Sequence, residues 1–174
     1  MGTIKLTSSI KAFIRGVEAV NRVVGLFSMY LIFVMIGVLL YSSIMKTFSI
    51  PPLWTLEMAQ FLMVAYFMLG GGYSLIDDSH VRMDLWYSRW SLRRRASVDI
   101  FTVFFLVVYL GFMLYGGFSS SAYALRYGET SYSSWAPYMA PIKIVMCVGI
   151  FLMLLQAIAE WLKDIAAARG DSVQ

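Results

Sequence analysis

The stretch that decides the fold spans residues 54–95 and reads WTLEMAQFLMVAYFMLGGGYSLIDDSHVRMDLWYSRWSLRRR. An apolar run begins beside the carboxylate of Glu57 and ends on the glycines Gly70 to Gly72, and a polar hinge, two tryptophans and a block of arginines follow. A helix needs about 20 mostly apolar residues to cross the hydrocarbon core of a bilayer. The stretch therefore predicts a membrane-spanning helix followed by a basic segment on the membrane surface.

The composition extends this prediction to the whole chain. Of the 174 residues, 60% are hydrophobic and 14% are charged, whereas a soluble domain is about half apolar and about a quarter charged. Long uncharged runs recur along the sequence, and the single cysteine allows no intrachain disulfide. We predict an all-α integral membrane protein, a single membrane domain over residues 1–174, with transmembrane helices at 23–45, 53–76, 100–118 and 142–162.

The segment before the first span is amphipathic. In residues 8–22, Ile14 and Val17 share one helical face, while Arg15 and Arg22 share the other. A basic face opposite an apolar one is typical of a helix that lies in the membrane interface. We predict such a helix, with Arg15 and Arg22 contacting phospholipid; the alternative is a plain extension of the first span.

A second interfacial helix is predicted in the loop of residues 77–97. Arg89 and Arg93 align on a helical wheel, and Trp86 and Trp90 form an adjacent aromatic patch. Tryptophan favours the level of the lipid headgroups. We therefore expect these four side chains to contact the lipid interface.

The distribution of basic residues predicts the orientation. Eleven of the fourteen lie in the N-terminal segment, in the loop 77–97 and in the tail 163–174, and three lie in the other connections. The positive-inside rule then places both termini and that loop in the cytoplasm. Since these charges flank predicted spans, lipid contact explains them, and we expect no nucleic-acid partner.

The sequence offers little for catalysis. His80 is the only histidine, so it provides neither a histidine pair for haem nor a histidine-rich metal site. The glycine run lacks the Lys-Ser/Thr of a phosphate-binding loop. We predict no enzyme activity, no cofactor and no metal site. His80 and the nearby Asp84 are interpreted as a polar cytoplasmic hinge, and the alternative is a metal or proton-relay site.

Glu57 is an ionisable residue within a predicted span, which makes it a functional candidate. It lies one turn inside the helix start and shares a face with Gln60. Two interpretations stay open: a cap at the membrane interface, and a buried contact with another helix. A coupling-ion site is a third, but it needs several convergent oxygens or a broken helix.

In their order and spacing these features resemble the small membrane subunit, the DctQ-like or Q subunit, of tripartite ATP-independent periplasmic (TRAP) transporters. The resemblance covers nearly the whole chain, although the acidic pair Asp77-Asp78 departs from the family pattern. The matching pieces are Trp54 with Glu57, Gly70 to Gly72, His80-Val81 with Asp84, Arg93 to Arg95, and Gly128-Glu129-Thr130 before Pro137 and Pro141.

The resemblance implies a role in sodium-coupled import of an organic acid across the bacterial inner membrane. A large multi-span subunit would carry the substrate and sodium sites and move as an elevator, and a periplasmic substrate-binding protein would deliver the substrate. The small subunit would brace the large one and help to dock the binding protein.

Two sets of contact residues are expected, the first because small residues let membrane helices approach closely and polar side chains pair across them, the second from the resemblance. Contacts between helices or subunits are expected at Trp54, Glu57, Gln60, Gly70, Gly71 and Gly72. Docking of the binding protein is expected at Arg126, Tyr127 and Glu129, the alternative being an outer turn within an aromatic belt.

Two other functions remain as alternatives at this level. One is a self-sufficient homo-oligomeric small channel or exporter, which would depend on Glu57. The other is a membrane anchor for an electron-transfer enzyme, which the single histidine disfavours.

Overall fold

The structure, a computed structural model, describes residues 8–48, 50, 52–76 and 92–168, without the side chains of residues 8, 9, 92–97, 99, 167 and 168. This part of the chain forms four helices: α1 (Ser8–Thr47), α2 (Thr55–Ile76), α3 (Leu92–Tyr127) and α4 (Ala140–Ala168). Each is long and apolar enough to cross a membrane. The prediction of an all-α protein with four membrane-spanning helices is thereby confirmed.

Helix α1 is continuous over 40 residues, about 60 Å at the usual rise per residue. The segment 8–22 is therefore the first part of α1 rather than a separate helix, because no proline interrupts the sequence between Ser8 and Thr47. Its apolar face is used within the protein, since Ile14 and Val17 pack against Ala159 of α4.

Helix α4 lies at the centre of the bundle. It packs against α1, α2 and α3, and α1 also packs along α2. The membrane-spanning part of α4 is accordingly the most buried of the four, and that of α3 is the least buried. Gly149 allows α2 and α4 to approach closely, because a Cβ there would stand 2.6 Å from the Met68 carbonyl oxygen.

Helix α3 runs past both ends of the span predicted at residues 100–118. The glycines and serines at 116–121, which surround the predicted end of the span at residue 118, lie inside the helix, and the Ser121 hydroxyl is 3.2 Å from the Cys147 thiol of α4. The helix ends instead at Tyr127 and is followed by Gly128, whose φ of 61° suits glycine. The Glu129 amide then donates to the Ala124 carbonyl at 3.2 Å, the 6→1 hydrogen bond of a Schellman motif.

The predicted second interfacial helix falls largely outside the described residues. His80, Asp84, Trp86, Arg89 and Trp90 belong to the stretch 77–91, and the Arg93 side chain is likewise not described. Their predicted roles stay predictions.

We call the two ends of the bundle the terminal end and the loop end. At the terminal end, the start of α1 meets the last turns of α4. At the loop end, residues 48–54 connect α1 to α2, and residues 128–139 connect α3 to α4. The predicted tail 163–174 begins within α4, which continues to Ala168.

Candidate functional site

A buried polar chain joins α1 to α4 at the terminal end. The Asn21 amide nitrogen donates to the Gln156 side-chain oxygen at 3.1 Å, and the Gln156 nitrogen donates to Glu160 at 3.0 Å. The Lys163 ammonium bridges Glu160, at 2.9 Å, and Glu18 of α1. Asn21 and Gln156 are both fully buried. These contacts hold the first half of α1, which is predicted to lie towards the cytoplasm, against α4.

The glycine run of α2 lies directly against this chain of polar groups. A Cβ on Gly72 would collide with the Asn21 side-chain oxygen, which has no hydrogen-bond partner among the described residues. Gly71 faces the Met153 thioether of α4, and Gly70 faces the Ser28 hydroxyl of α1. All three glycines therefore stand where α2 approaches a neighbouring helix closely, as small residues do in membrane bundles.

Asn21 and Gln156 were missed as a pair by sequence reasoning. Asn21 stands four residues after Val17 and seven after Ile14, so a polar residue interrupts the apolar face of the amphipathic segment. That interruption is the one sign in the sequence that Asn21 makes a polar contact. The sequence does not indicate Gln156 as the partner, because the two residues are 135 positions apart in the chain.

The loop end begins with a well-anchored start of α2. The Thr55 hydroxyl is fully buried, 2.9 Å from the Ser42 hydroxyl of α1 and 3.1 Å from the Pro52 carbonyl. The Trp54 ring packs on Tyr41, with 5.9 Å between ring centroids. The Met58 amide donates to the Trp54 carbonyl, which makes Trp54 the N-cap residue and places Glu57 at position N3.

The connection between α3 and α4 is a short hairpin-like loop. The Met139 amide donates to the Glu129 carbonyl and the Ser131 amide to the Pro137 carbonyl, both at 3.0 Å. The Glu129 carboxylate forms an ion pair with Lys143 of α4. These contacts give the loop a defined shape.

The residues expected to dock a binding protein are placed differently from one another. Arg126 and Tyr127 lie in the last turn of α3 and are exposed, with the guanidinium 5.9 Å from the centre of the Tyr127 ring. Glu129 is half-buried and already paired with Lys143. Arg126 therefore offers an exposed positive charge at this end, while the charge of Glu129 is largely compensated.

A crevice of about 520 Å³ lies between the start of α2 and the loop. We call it the loop-end crevice; its walls are Leu53, Leu56, Glu57 and Gln60 on one side and residues 131–134 on the other. The Glu57 side-chain oxygen Oε2 is buried and has no hydrogen-bond partner in the described part of the chain. The structure thus brings Glu57 and Gln60 together with the serines of a loop more than 70 residues away.

The exposed positive groups of the amphipathic segment are also placed. Arg15 and Arg22 are both exposed on α1, and the Arg15 Nε donates to the Lys11 carbonyl at 3.3 Å.

Across residues 8–76 and 92–168, as far as they are described, no cluster of three or more His, Cys, Asp or Glu side chains could hold a metal ion.

A comparison with protein families identifies the chain. Residues 35–167 match the family model described as "Tripartite ATP-independent periplasmic transporters, DctQ component". A search of curated proteins gave no significant match. The matched region includes most of the described bundle and both sides of the loop-end crevice, and it confirms the resemblance carried by Trp54 and the residues that follow it. The chain therefore belongs to the DctQ family, the small membrane subunits of tripartite ATP-independent periplasmic transporters.

Proposed function

We propose that this subunit is a scaffold that braces the large membrane subunit of a sodium-coupled TRAP transporter importing an organic acid. The observation that carries the proposal is the family match over residues 35–167, because that family consists of transporter components that work with a large membrane subunit and a binding protein. The proposal adds the bracing role, the coupling ion, the substrate class and the sites of contact.

The packing of the bundle supports a bracing role. The central helix α4 is held by close contacts at Gly71 and Gly149, whereas α3 presents large exposed apolar side chains along its length. These include Phe101, Phe105, Phe112, Tyr115 and Phe118. Apolar side chains facing outward suit lipid or the helices of a membrane partner. A well-packed core with broad outer faces is what a passive brace requires.

The orientation in the proposal follows the positive-inside rule, with both termini in the cytoplasm and the loop end facing the periplasm. The bundle supports this arrangement because the first turns of α1 and the last turns of α4 pack together. Arg15 and Arg22 would then face phospholipid headgroups of the inner leaflet. The binding protein would meet Arg126, Tyr127 and Glu129 at the periplasmic side.

Reconstitution tests the proposal. The small subunit, the large subunit and the binding protein are placed in liposomes in all combinations, and uptake of radiolabelled organic acids is measured with and without an inward sodium gradient. We expect uptake from the complete set with the gradient, and none from the small subunit alone.

Two results would contradict the proposal. Sodium-driven uptake by the small subunit alone would support the homo-oligomeric channel or exporter instead. Uptake by the large subunit and binding protein, at an undiminished rate and with the small subunit omitted, would remove the bracing role.

A further inference from the structure

The carboxylate of Glu57 differs from the other glutamates of the bundle. Glu18 and Glu160 share Lys163, and Glu129 pairs with Lys143. Glu57 has neither an ion pair nor a hydrogen bond to any described residue, and its Oε2 is buried. Glu57 as a whole is half-buried, but an oxygen that is buried without a donor loses hydration and gains nothing in return. Ionisable side chains at membrane depth normally pair with another group.

A role in capping α2 does not supply the missing partner. At position N3, a glutamate can reach back and accept a hydrogen bond from the amide of the N-cap residue, as in a capping box. Here the N-cap is Trp54, and Glu57 makes no such bond. The helix dipole still favours a negative charge in the first turn, by about 0.3–1 kcal/mol at exposed sites. That leaves the hydrogen-bonding capacity of the carboxylate unused.

The surface beside Glu57 has the form of a helix-packing face. Leu56, Gln60, Met63 and Phe67 are the exposed positions along this side of α2, and the exposed Leu53 lies just before them. The five recur at alternating intervals of three and four residues. This spacing is that of a seam into which another helix packs. It is also what any helix with one side free presents to lipid, so the spacing alone does not decide between the two.

The polar groups in this face favour contact with another helix over contact with lipid. Gln60 is one of these exposed positions, which we call the exposed stripe of α2. It lies one turn further along α2 than Glu57, and both residues line the loop-end crevice. Hydrocarbon satisfies neither an amide nor a carboxylate, whereas a polar side chain of a neighbouring helix satisfies both. A soluble protein approaching the loop tip would meet Tyr132, whose side chain is fully exposed. A helix lying along the stripe would reach Gln60 as well.

We propose that a lysine or arginine on a membrane helix of the large subunit enters the loop-end crevice, pairs with Glu57 and hydrogen-bonds Gln60, while its helix packs along the exposed stripe of α2. This inference rests on the proposed function, which supplies the large subunit as the partner. The last torsion of a glutamate side chain is soft, so the carboxylate can turn both oxygens towards a guanidinium or one towards an ammonium.

The test measures assembly of the full complex. The small subunit carries an affinity tag, and the apparent dissociation constant for the large subunit is measured in detergent for the wild type, Glu57→Gln and the control Lys46→Gln. Both substitutions change the charge at the loop end by one unit, and Lys46 is exposed in the last turn of α1, outside the crevice. We expect Glu57→Gln to weaken the complex at least about tenfold, because the partner's cation is left unpaired, and Lys46→Gln to change it by less than about threefold, as expected for an exposed charge.

Crosslinking identifies the occupant and works even if Glu57→Gln does not fold. Tyr132 at the crevice and Phe67 at the deep end of the stripe are both exposed, and each is replaced singly by p-benzoylphenylalanine in the otherwise wild-type complex. We expect irradiation to link both positions to the large subunit. Links from Phe67 only to lipid, or from Tyr132 only to the binding protein, would overturn the inference.

The outcomes separate this inference from the proposed function. If the wild-type small subunit does not bind the large subunit at all, the proposed function fails. If it binds, but Glu57→Gln binds as tightly as Lys46→Gln, the scaffold role stands and the pairing at Glu57 is wrong.

Discussion

The terminal end and the loop end of this bundle differ in how their acidic side chains are paired. At the terminal end, Glu18 and Glu160 converge on Lys163, and Gln156 carries the hydrogen bonding inward to the buried Asn21. At the loop end, Glu129 pairs with Lys143, but Glu57 has no partner within the described chain, and Arg126 is exposed. The contrast teaches that the chain pairs its own glutamates at the terminal end, whereas at the loop end it leaves Glu57 for the partner that we propose.

The largest expected effect is predicted for a substitution of Gly72, which lies against Asn21 at the terminal end. Gly72→Leu places a side chain where the Asn21 amide already lies, so α1 and α2 must separate. We expect the free energy of unfolding in detergent to fall by about 3 kcal/mol, at the upper end of overpacking effects. The measurement is thermal unfolding followed by circular dichroism.

Gly116→Leu is the matched control for this prediction. It gives the same gain in helix propensity, but nothing lies within 4 Å of a Cβ at Gly116. Equal loss of stability in the two variants would show that the contact with Asn21 does not determine the helix spacing.

A second prediction concerns the polar chain between α1 and α4. Gln156→Leu removes the side-chain acceptor of the Asn21 amide, which keeps the Leu152 carbonyl at 3.4 Å, and it also removes the donor to Glu160. We expect a loss of about 1–3 kcal/mol in stability, the cost of buried polar groups without partners. The double variant Asn21→Leu with Gln156→Leu is expected to regain part of this loss, because it removes both partners together.

The double-mutant cycle measures this coupling directly. Additive losses from the two substitutions would mean that Asn21 and Gln156 stabilise the bundle independently, and the terminal end would then not be a connected unit.

The smallest expected effect is predicted for a substitution of Arg126 at the loop end. Arg126→Gln removes an exposed charge that touches only the Tyr127 ring among the described contacts. We expect the affinity of the complex for the binding protein to fall about two- to fivefold at low ionic strength, as for a peripheral charge, with the difference disappearing at high salt. Assembly with the large subunit is expected to remain unchanged.

Arg15→Gln serves as the control, since Arg15 is an exposed arginine at the other end of the bundle. If it weakened docking as much as Arg126→Gln, the effect would reflect net charge rather than a site at the loop end. Surface plasmon resonance with the immobilised membrane complex gives both affinities.

Much of the fold was readable from the sequence because membrane insertion is a local property. A run of about 20 apolar residues satisfies its backbone only as a helix in hydrocarbon, so four such runs predicted four helices. Helix ends were less readable. The glycines and serines at 116–121 are turn formers in water, yet they continue α3 to Tyr127, because the intrahelical hydrogen bonds persist and Ser121 contacts Cys147.

The glycines show how much residue type alone predicts about contacts between helices. Small residues predicted close helix contacts at Gly70, Gly71 and Gly72, which do face neighbouring helices, and Gly149, for which no contact was predicted, does so as well. Gly37, Gly111 and Gly116 have the same residue type but face nothing within 4 Å in the described structure. Which glycine is used depends on which side of its helix meets a neighbour, and that is decided by contacts distant in the chain.

The sequence by itself determined the class of the protein, the number of its membrane-spanning helices and, through the motif around Trp54, its family. These depend on composition and on short patterns that act locally. Only the tertiary structure decided that Asn21 meets Gln156, that Gly72 is pressed against Asn21, and that the loop at 131–134 lies beside Glu57 to form a crevice in which the Glu57 Oε2 has no partner among the described residues. Those features arise from helix packing, in which the partner of each side chain lies on another helix.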